Sequence, residues 1–188
     1  MYPIIRTLWM LAVTSEENTI RPDEPVEYPL ICWPWDVDPF MEMNNGRQMT
    51  MFDIGRFQYG KRGGLLRCLR ENKWGLAVAG SSVQYRKRIL PFQKLTMHTL
   101  LLARDEQWFY FQQTLLRKND VCSSALVRTC VLKPGRGALP TQPVAEAMGW
   151  PDWRGDLPDW AIAWDQADKA RPWPPTLTAS APSAPDIV

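Results

Sequence analysis

Residues 36–48 read Asp36-Val-Asp38-Pro-Phe-Met-Glu42-Met-Asn44-Asn45-Gly46-Arg47-Gln48, and Asp53-Ile-Gly-Arg56 follows shortly after. The stretch 35–45 is dense in polar groups and reads as a connection. From residue 46 to about residue 62 the pattern turns helical. Met49, Met51, Phe52, Ile54, Phe57 and Tyr59 point in nearly every direction around such a helix. A surface helix shows one apolar stripe, whereas a helix apolar most of the way round is buried. Asn44 or Asn45 suits the N-cap, because asparagine accepts from the free N–H groups of the first turn. Gly63-Gly64 provides the stop. A shorter helix is expected over residues 65–71.

Upstream, residues 26–33 are rich in strand formers, and Pro34 closes them because proline cannot donate to a ladder. Downstream the period changes. Residues 75–88, 94–104, 108–117 and 121–132 each read as strands. Asp105-Glu106-Gln107 and Lys118-Asn119-Asp120 are short polar separators of the hairpin kind. Within 94–104, Leu95, Met97, Thr99, Leu101 and Ala103 share one face, while Thr96, His98, Leu100, Leu102 and Arg104 share the other. One strand, a buried helix and four long antiparallel strands make an α+β domain. The arrangement that buries such a helix is a curled sheet wrapped around it, with the outer face covered by a partner subunit or by terminal segments.

The segment 36–48 resembles the signature loop of the 4-hydroxybenzoyl-CoA thioesterase-like superfamily, the acyl-CoA thioesterases of the hot-dog fold. That signature runs Asp-x-Asp, His-x-Asn-Asn, a tyrosine, and then a helix with an acidic residue three before an arginine. Asp53 and Arg56 supply the last pair. Val83-Gln-Tyr85-Arg-Lys-Arg-Ile-Leu-Pro91-Phe-Gln-Lys-Leu also resembles the family's second and third strands, and the likeness runs over residues 26–132. The nearest branch contains a mammalian membrane-anchored thioesterase-superfamily-like protein. Two positions depart from the pattern: Glu42 stands where the family has histidine, and Gln48 where it has tyrosine, which keeps open a catalytically weak acyl-CoA- or lipid-binding protein; the apolar N-terminus and Trp-rich C-terminus keep open a membrane-associated scaffold.

The resemblance implies hydrolysis of a fatty or aromatic acyl-CoA to free acid and CoA, with no metal and no bound cofactor. Such a reaction needs a positioned water or nucleophile and donors aimed at the developing oxyanion. By motif position Asp38 corresponds to the carboxylate base or nucleophile. The backbone N–H of Asn45 or Gly46, at the positive end of the helix, corresponds to the oxyanion donor. Asp53, about two turns into the helix, is the rival carboxylate; it equally suits a salt bridge near a subunit interface. Glu42, Asn44 and Gln48 are expected around the substrate. The three acids Asp36, Asp38 and Glu42 lie close enough in sequence to repel one another.

Arg86-Lys87-Arg88, after Tyr85, is the dense basic run, and suits either CoA phosphates or a solvated strand edge that discourages aggregation. Ser81 and Ser82 lie upstream on the same strand, within expected reach of a thioester. His98, among apolar neighbours, is expected to be packed rather than catalytic.

At 188 residues the chain can bury one core unaided. A net charge of +2 gives no case for nucleic acid as a partner. Cys32, Cys68, Cys122 and Cys130 form no CxxC pair and accompany a single histidine, against a structural zinc site and in keeping with core thiols in a reducing, cytoplasmic setting. The apolar residues 1–13 are too short to span a bilayer and are interrupted by Arg6. A helix packed on the domain is expected there, in preference to membrane-surface contact. The expected division is 1–25 for that helix and a loop, 26–134 for the hot-dog domain, 135–170 for a Trp-rich extension packed on the outside of the sheet, and 171–188 for a disordered Pro/Ala-rich tail. A homodimer or dimer of dimers is expected, because a lone protomer leaves a sheet edge and a helix flank exposed.

Overall fold

The helix foreshadowed by the all-round apolar pattern is α2, Asn45–Arg62. Met51, Phe52, Ile54 and Tyr59 are all essentially inaccessible to solvent. The computed structural model describes residues 3–14, 20–172 and 174–175. It divides into two compact units, Met1–Asp156 and Leu157–Val188. The first contains α1 (Ile4–Val13), β1 (Val26–Ile31), a 3-10 turn (Pro34–Asp36), α2, α3 (Leu65–Asn72), β2 (Gly75–Tyr85), β3 (Lys94–Arg104), β4 (Phe109–Arg117), β5 (Asp120–Lys133), the two-residue β6 (Gly137–Ala138) and α4 (Thr141–Ala147). The second holds α5 (Asp159–Ala170).

The strands form one antiparallel sheet in the order β1-β3-β4-β5-β2, with β6 added against the end of β5. β3, β4 and β5 are a hairpin meander. Asp105 Oδ1 organises the first turn by accepting from the N–H groups of Gln107 (2.7 Å) and Trp108 (2.6 Å). The second turn is Lys118-Asn119, with Lys118 in the left-handed region at φ 56°. β2 does not pair with its sequence neighbour β3. It lies on the far edge beside β5, and residues 86–93 carry the chain across. Of the two faces of β3, the one carrying Leu95, Met97, Thr99 and Leu101 is buried. After a register shift between Leu101 and Ala103, both Ala103 and Arg104 are buried.

The sheet curls around α2. Tyr59 meets Phe111 edge to face at 5.4 Å. Close approach is possible because residue 55 is glycine; a Cβ there would sit 2.5 Å from Thr99 Oγ1 and 2.7 Å from Met97 Cε. A short polar network crosses this contact. Gln113 Nε2 donates to the Phe52 carbonyl (2.8 Å) and to Thr99 Oγ1 (2.9 Å), and Arg56 Nη1 donates to Gln113 Oε1 (2.5 Å). Each buried polar atom in it is thereby satisfied, as a dry interior requires.

Several boundaries differ from the sequence reading. β1 stops at Ile31 rather than Trp33, because Trp33 opens the 3-10 turn and its N–H is taken by Asp36 Oδ2 at 3.0 Å. β2 stops at Tyr85 rather than Arg88, since the N–H groups of Arg86 and Lys87 both converge on the Cys122 carbonyl. The helix expected over 65–71 runs one residue further, to Asn72.

Within the first unit, Trp150 and Trp153 of the Trp-rich extension are partly buried and pack against the hydrophobic core. The Trp150 ring lies over Gly63, where an added Cβ would come within 2.9 Å of it, so it closes the far end of α2. Arg104 fastens this segment by donating to the carbonyls of Trp153 (2.6 Å) and Pro151 (2.7 Å) and to Gln142 Oε1 (2.9 Å). Trp160 and Trp164 belong to the second unit, and most of the tail expected to be disordered lies outside the described residues.

Candidate active site at the start of the central helix

Asp36 is the anchor of the loop that leads into α2. It is 1% exposed, yet charged groups meet it from two elements. Arg6 Nη2 of α1 lies 2.9 Å from Oδ2, and Arg47 Nε of α2 lies 3.1 Å from Oδ1. Its own carbonyl accepts from the Asn44 N–H at 2.9 Å. One carboxylate thus fixes α1, the loop and the first turn of α2 together. Arg6, the residue that interrupts the apolar N-terminal run, has this as its reason. Met10 (0% exposed) adds apolar contact, and Lys61 Nζ donates to the Leu11 carbonyl at 2.5 Å.

The next acid, Asp38, shapes a tight turn. Its Oδ1 accepts from the Phe40 N–H at 2.9 Å, and its N–H donates to the Glu42 carbonyl at 2.9 Å. Met41 takes a left-handed φ of 58° inside this turn. Among the described hydrogen bonds of the Asp38 carboxylate, only Oδ1 is used. Asn44 is the N-cap, accepting from the Arg47 N–H at 3.2 Å, so Asn45 and Gly46 are the first two helical residues. Their N–H groups have no partner within the helix, by the geometry of any helix start. Asp38, Asn44, Gly46, Arg47 and Thr50 all line one cavity of about 540 Å³. The structure therefore brings Asp38 and the Asn45-Gly46 end of α2 to the same polar hollow.

Of the other acids, Asp36 lines the same cavity with its carboxylate held between Arg6 and Arg47, and Glu42 does not. Glu42, in the family's histidine position, pairs with Arg88 (2.7 Å), which also donates to the Phe40 carbonyl at 3.0 Å. The repulsion expected among the three acids is thus compensated: Asp36 sits between two arginines and Glu42 against a third. Gln48 is buried in the core, donating to the Met43 carbonyl at 3.3 Å, and does not line the cavity.

Asp53 lies in a second, apolar cavity of about 600 Å³, with Leu11, Phe57, Leu69, Leu76 and Val78 among its walls. It is ion-paired with Arg56. Burial pushes its carboxyl above the usual range, and the Arg56 guanidinium pulls partly the other way.

The basic run is divided. Lys87 pairs with Asp120 at 2.7 Å and Arg88 with Glu42, while Arg86 reaches only Gln84 Oε1 at 3.4 Å among the described contacts. Ser81 and Ser82 are ordinary β2 positions opposite Val127 and Leu126, and neither lines the Asp38 cavity. His98 is not packed inside: it sits on the outer face, 3.2 Å from Glu27 of the neighbouring strand. All four cysteines are buried and free, and burial lifts the Cys32 thiol to about 11. Among the described residues no cluster of three or more His, Cys, Asp or Glu side chains could hold a metal, and no helix is long and apolar enough to cross a membrane. The lining contributions of Trp35, Arg47 and Thr50 were not read from the sequence. For Thr50 and Arg47 the signal was present, since both lie on the first turn and a half after the N-cap.

Comparison with known proteins bears on the fold and the family. The model of the thioesterase-like superfamily matches residues 32–179. Protein THEM6 of Xenopus laevis is 30% identical over 101 residues, 53% of this chain and 49% of that protein. The chain spans about half the length of the curated relatives it matches. Among solved structures, the YbaW probable thioesterase of Escherichia coli superposes with a TM-score of 0.61 at 14% identity, covering 66% of this chain and 96% of that one. SAV2348 of Staphylococcus aureus, solved in complex with CoA, gives 0.60 at 10% identity, covering 75% and 92%. These superpositions identify the curled sheet around α2 as the hot-dog fold. With the family match extending from Cys32 through the acidic loop, the central helix and the whole strand meander, the chain belongs to the thioesterase-like superfamily.

Proposed function

We propose that this chain hydrolyses a fatty or aromatic acyl-CoA thioester to the free acid and CoA. The observation that carries this reading is the single cavity shared by the Asp38 carboxylate and the N-terminal turn of α2. In this reading Asp38 takes a proton from an attacking water, or itself attacks the carbonyl. The N–H group of Asn45 or Gly46 receives the oxyanion, and the tetrahedral adduct collapses as the C–S bond breaks and CoA leaves as the thiol, with a proton that derives from water. In the first case collapse gives the free acid directly; in the second it gives an Asp38 anhydride, which water then hydrolyses to the free acid and the restored carboxylate. Gly46 leaves room for the thioester at the helix end, having no side chain to stand in its way. Arg86 is the residue of the basic run best placed to meet CoA phosphates, since Lys87 and Arg88 are already paired with acids. The SAV2348 structure with CoA supports CoA as the carrier.

Pairing of two protomers belongs to the same proposal. β2 is an 11-residue edge strand, with Val78 52% exposed beside the cavity that holds Asp53. Such an edge invites pairing unless it is covered. A homodimer, or a dimer of dimers, covers it. A monodisperse monomer in light scattering overturns this part. Four free thiols suit a cytoplasmic setting.

A second reading rests on the Glu42–Arg88 pair, which ties up the position where the family has histidine. Under it the chain binds acyl-CoA but turns it over poorly. A panel of acyl-CoA thioesters with a thiol-reporting reagent separates the two. Release of CoA that saturates with substrate supports hydrolysis. Micromolar binding without thiol release supports the second reading.

A further inference from the structure

The polar cavity at Asp38 has an apolar neighbour. Trp33 and Trp35 stack at 5.4 Å with their planes 16° apart. Facing them across an open groove of about 1070 Å³ are Ile4, Ile5 and Trp9 of α1. Trp35 and Arg47 line both this groove and the Asp38 cavity, so the two adjoin along these side chains. The size is at the upper end of small-molecule sites.

We infer that this groove, between α1 and the Trp33–Trp35 stack, holds the apolar acyl part of the thioester whose carbonyl lies at the start of α2. The inference rests on the proposed hydrolase reading for the position of that carbonyl. Three observations choose this occupant. The groove adjoins the hollow where the thioester is placed, with Trp35 and Arg47 lining both, so one amphipathic molecule can lie across the two. Its cations, Arg6 and Arg47, are both engaged by Asp36, so its floor attracts neither a phosphate nor a carboxylate. Its remaining walls are apolar or aromatic, and Ile5 (86%) and Trp9 (66%) stay exposed until something covers them. Covering such side chains takes apolar surface out of water, which favours an apolar occupant. α1 is held to the body through Arg6 and Met10, which leaves its opposite residues to act as a specificity wall. The N-terminal helix thus selects the acyl group.

The test compares acetyl-CoA, benzoyl-CoA and dodecanoyl-CoA with the wild-type chain and with Ile5→Ser and Trp9→Ser. Both positions are exposed, so melting curves close to wild type are expected; Ile5→Val and Trp9→Phe serve as conservative rescues. The ratio of kcat/KM for dodecanoyl-CoA over acetyl-CoA is expected to fall at least about tenfold in each serine variant and to recover in the rescues. The benzoyl-CoA ratio shows whether an aromatic group uses the same wall. Binding of the non-hydrolysable thioether S-dodecyl-CoA, followed by calorimetry, gives a readout independent of turnover. Hydrolysis with an unchanged ratio overturns the groove while leaving the hydrolase reading intact. Absence of any hydrolysis, with S-dodecyl-CoA binding weakened in both serine variants, overturns the hydrolase reading and keeps the groove. Unaltered binding and ratio, with loss of flotation on phosphatidylcholine–phosphatidylglycerol vesicles, overturns the inference in favour of a lipid surface.

Discussion

Two carboxylates on or beside the central helix meet very different surroundings. Asp38 lies at the helix start, in a polar cavity, with a backbone N–H on one oxygen and the unpaired donors of α2 nearby. Asp53 lies about two turns along, in an apolar cavity, with Arg56 as its ion-pair partner. Arg56 is in turn committed to Gln113 and through it to Thr99, so the Asp53 end of α2 is wired into the sheet. The contrast separates a carboxylate beside oxyanion donors from one whose nearest partner is a structural arginine. The same separation holds within the acidic loop: Asp36 fixes the geometry, and Asp38 is left beside the cavity.

The largest effect is expected from breaking the anchor beneath the first site. Asp36→Ala leaves Arg6 and Arg47 without the carboxylate between them, both mostly buried at 15% and 17% exposure. Removing one member of such a buried pair costs about 3–5 kcal/mol. Urea denaturation should show that loss, and a loss below about 1 kcal/mol would mean that Asp36 does not anchor the loop. A smaller effect is expected where α2 meets the sheet. Gly55→Ala forces a methyl toward Thr99 and Met97, and overpacking of this kind costs about 1–3 kcal/mol. A midpoint equal to wild type would show that the helix lies more loosely than the contacts indicate.

The smallest effect sharpens the contrast through pH. The Asp53 carboxyl is raised in the folded chain, first by burial, so the folded state holds its proton more tightly than the unfolded state does. Stability therefore falls as pH rises from about 4, the ordinary aspartate value, through the raised folded value, and is level above it. The side chain is 39% exposed, so the slope is shallow. Asp53→Asn should flatten it in denaturant titrations taken across that window. A slope unchanged in the variant would assign it to another group.

Much of the fold was legible because it rests on local periodicity. Apolar residues all round α2 announced burial, alternation along β3 separated its two faces, and Asn44-Asn45 announced the cap. Strand order was less legible: nothing local in residues 86–93 says that β2 crosses to the edge beside β5 instead of pairing with β3. The bulges at Val78/Gly80 and Leu101/Ala103 were equally silent, since a register shift depends on the partner strand. At the site, a cap at Asn44 or Asn45 was readable from the residues, while Asp38 and Gly46 entered through the resemblance of the loop to the thioesterase signature. The partners of Asp36 and Glu42 were not, because Arg6 and Arg88 are 30 and 46 residues away in the chain. The Trp150 plug over Gly63 is likewise a contact between distant segments, visible in the sequence only as an unassigned cluster of tryptophans.

The contrast between the two carboxylates comes down to one comparison of turnover. Asp38→Asn and Asp53→Asn keep size and shape and remove one charge each, and kcat is measured on the acyl-CoA the wild-type chain hydrolyses fastest. The prediction is a fall of about 10²–10⁴-fold for Asp38→Asn, the usual contribution of a positioned base, and a fall of less than about tenfold for Asp53→Asn. Full turnover in Asp38→Asn together with loss in Asp53→Asn would contradict it and move the chemistry to the apolar cavity beside β2.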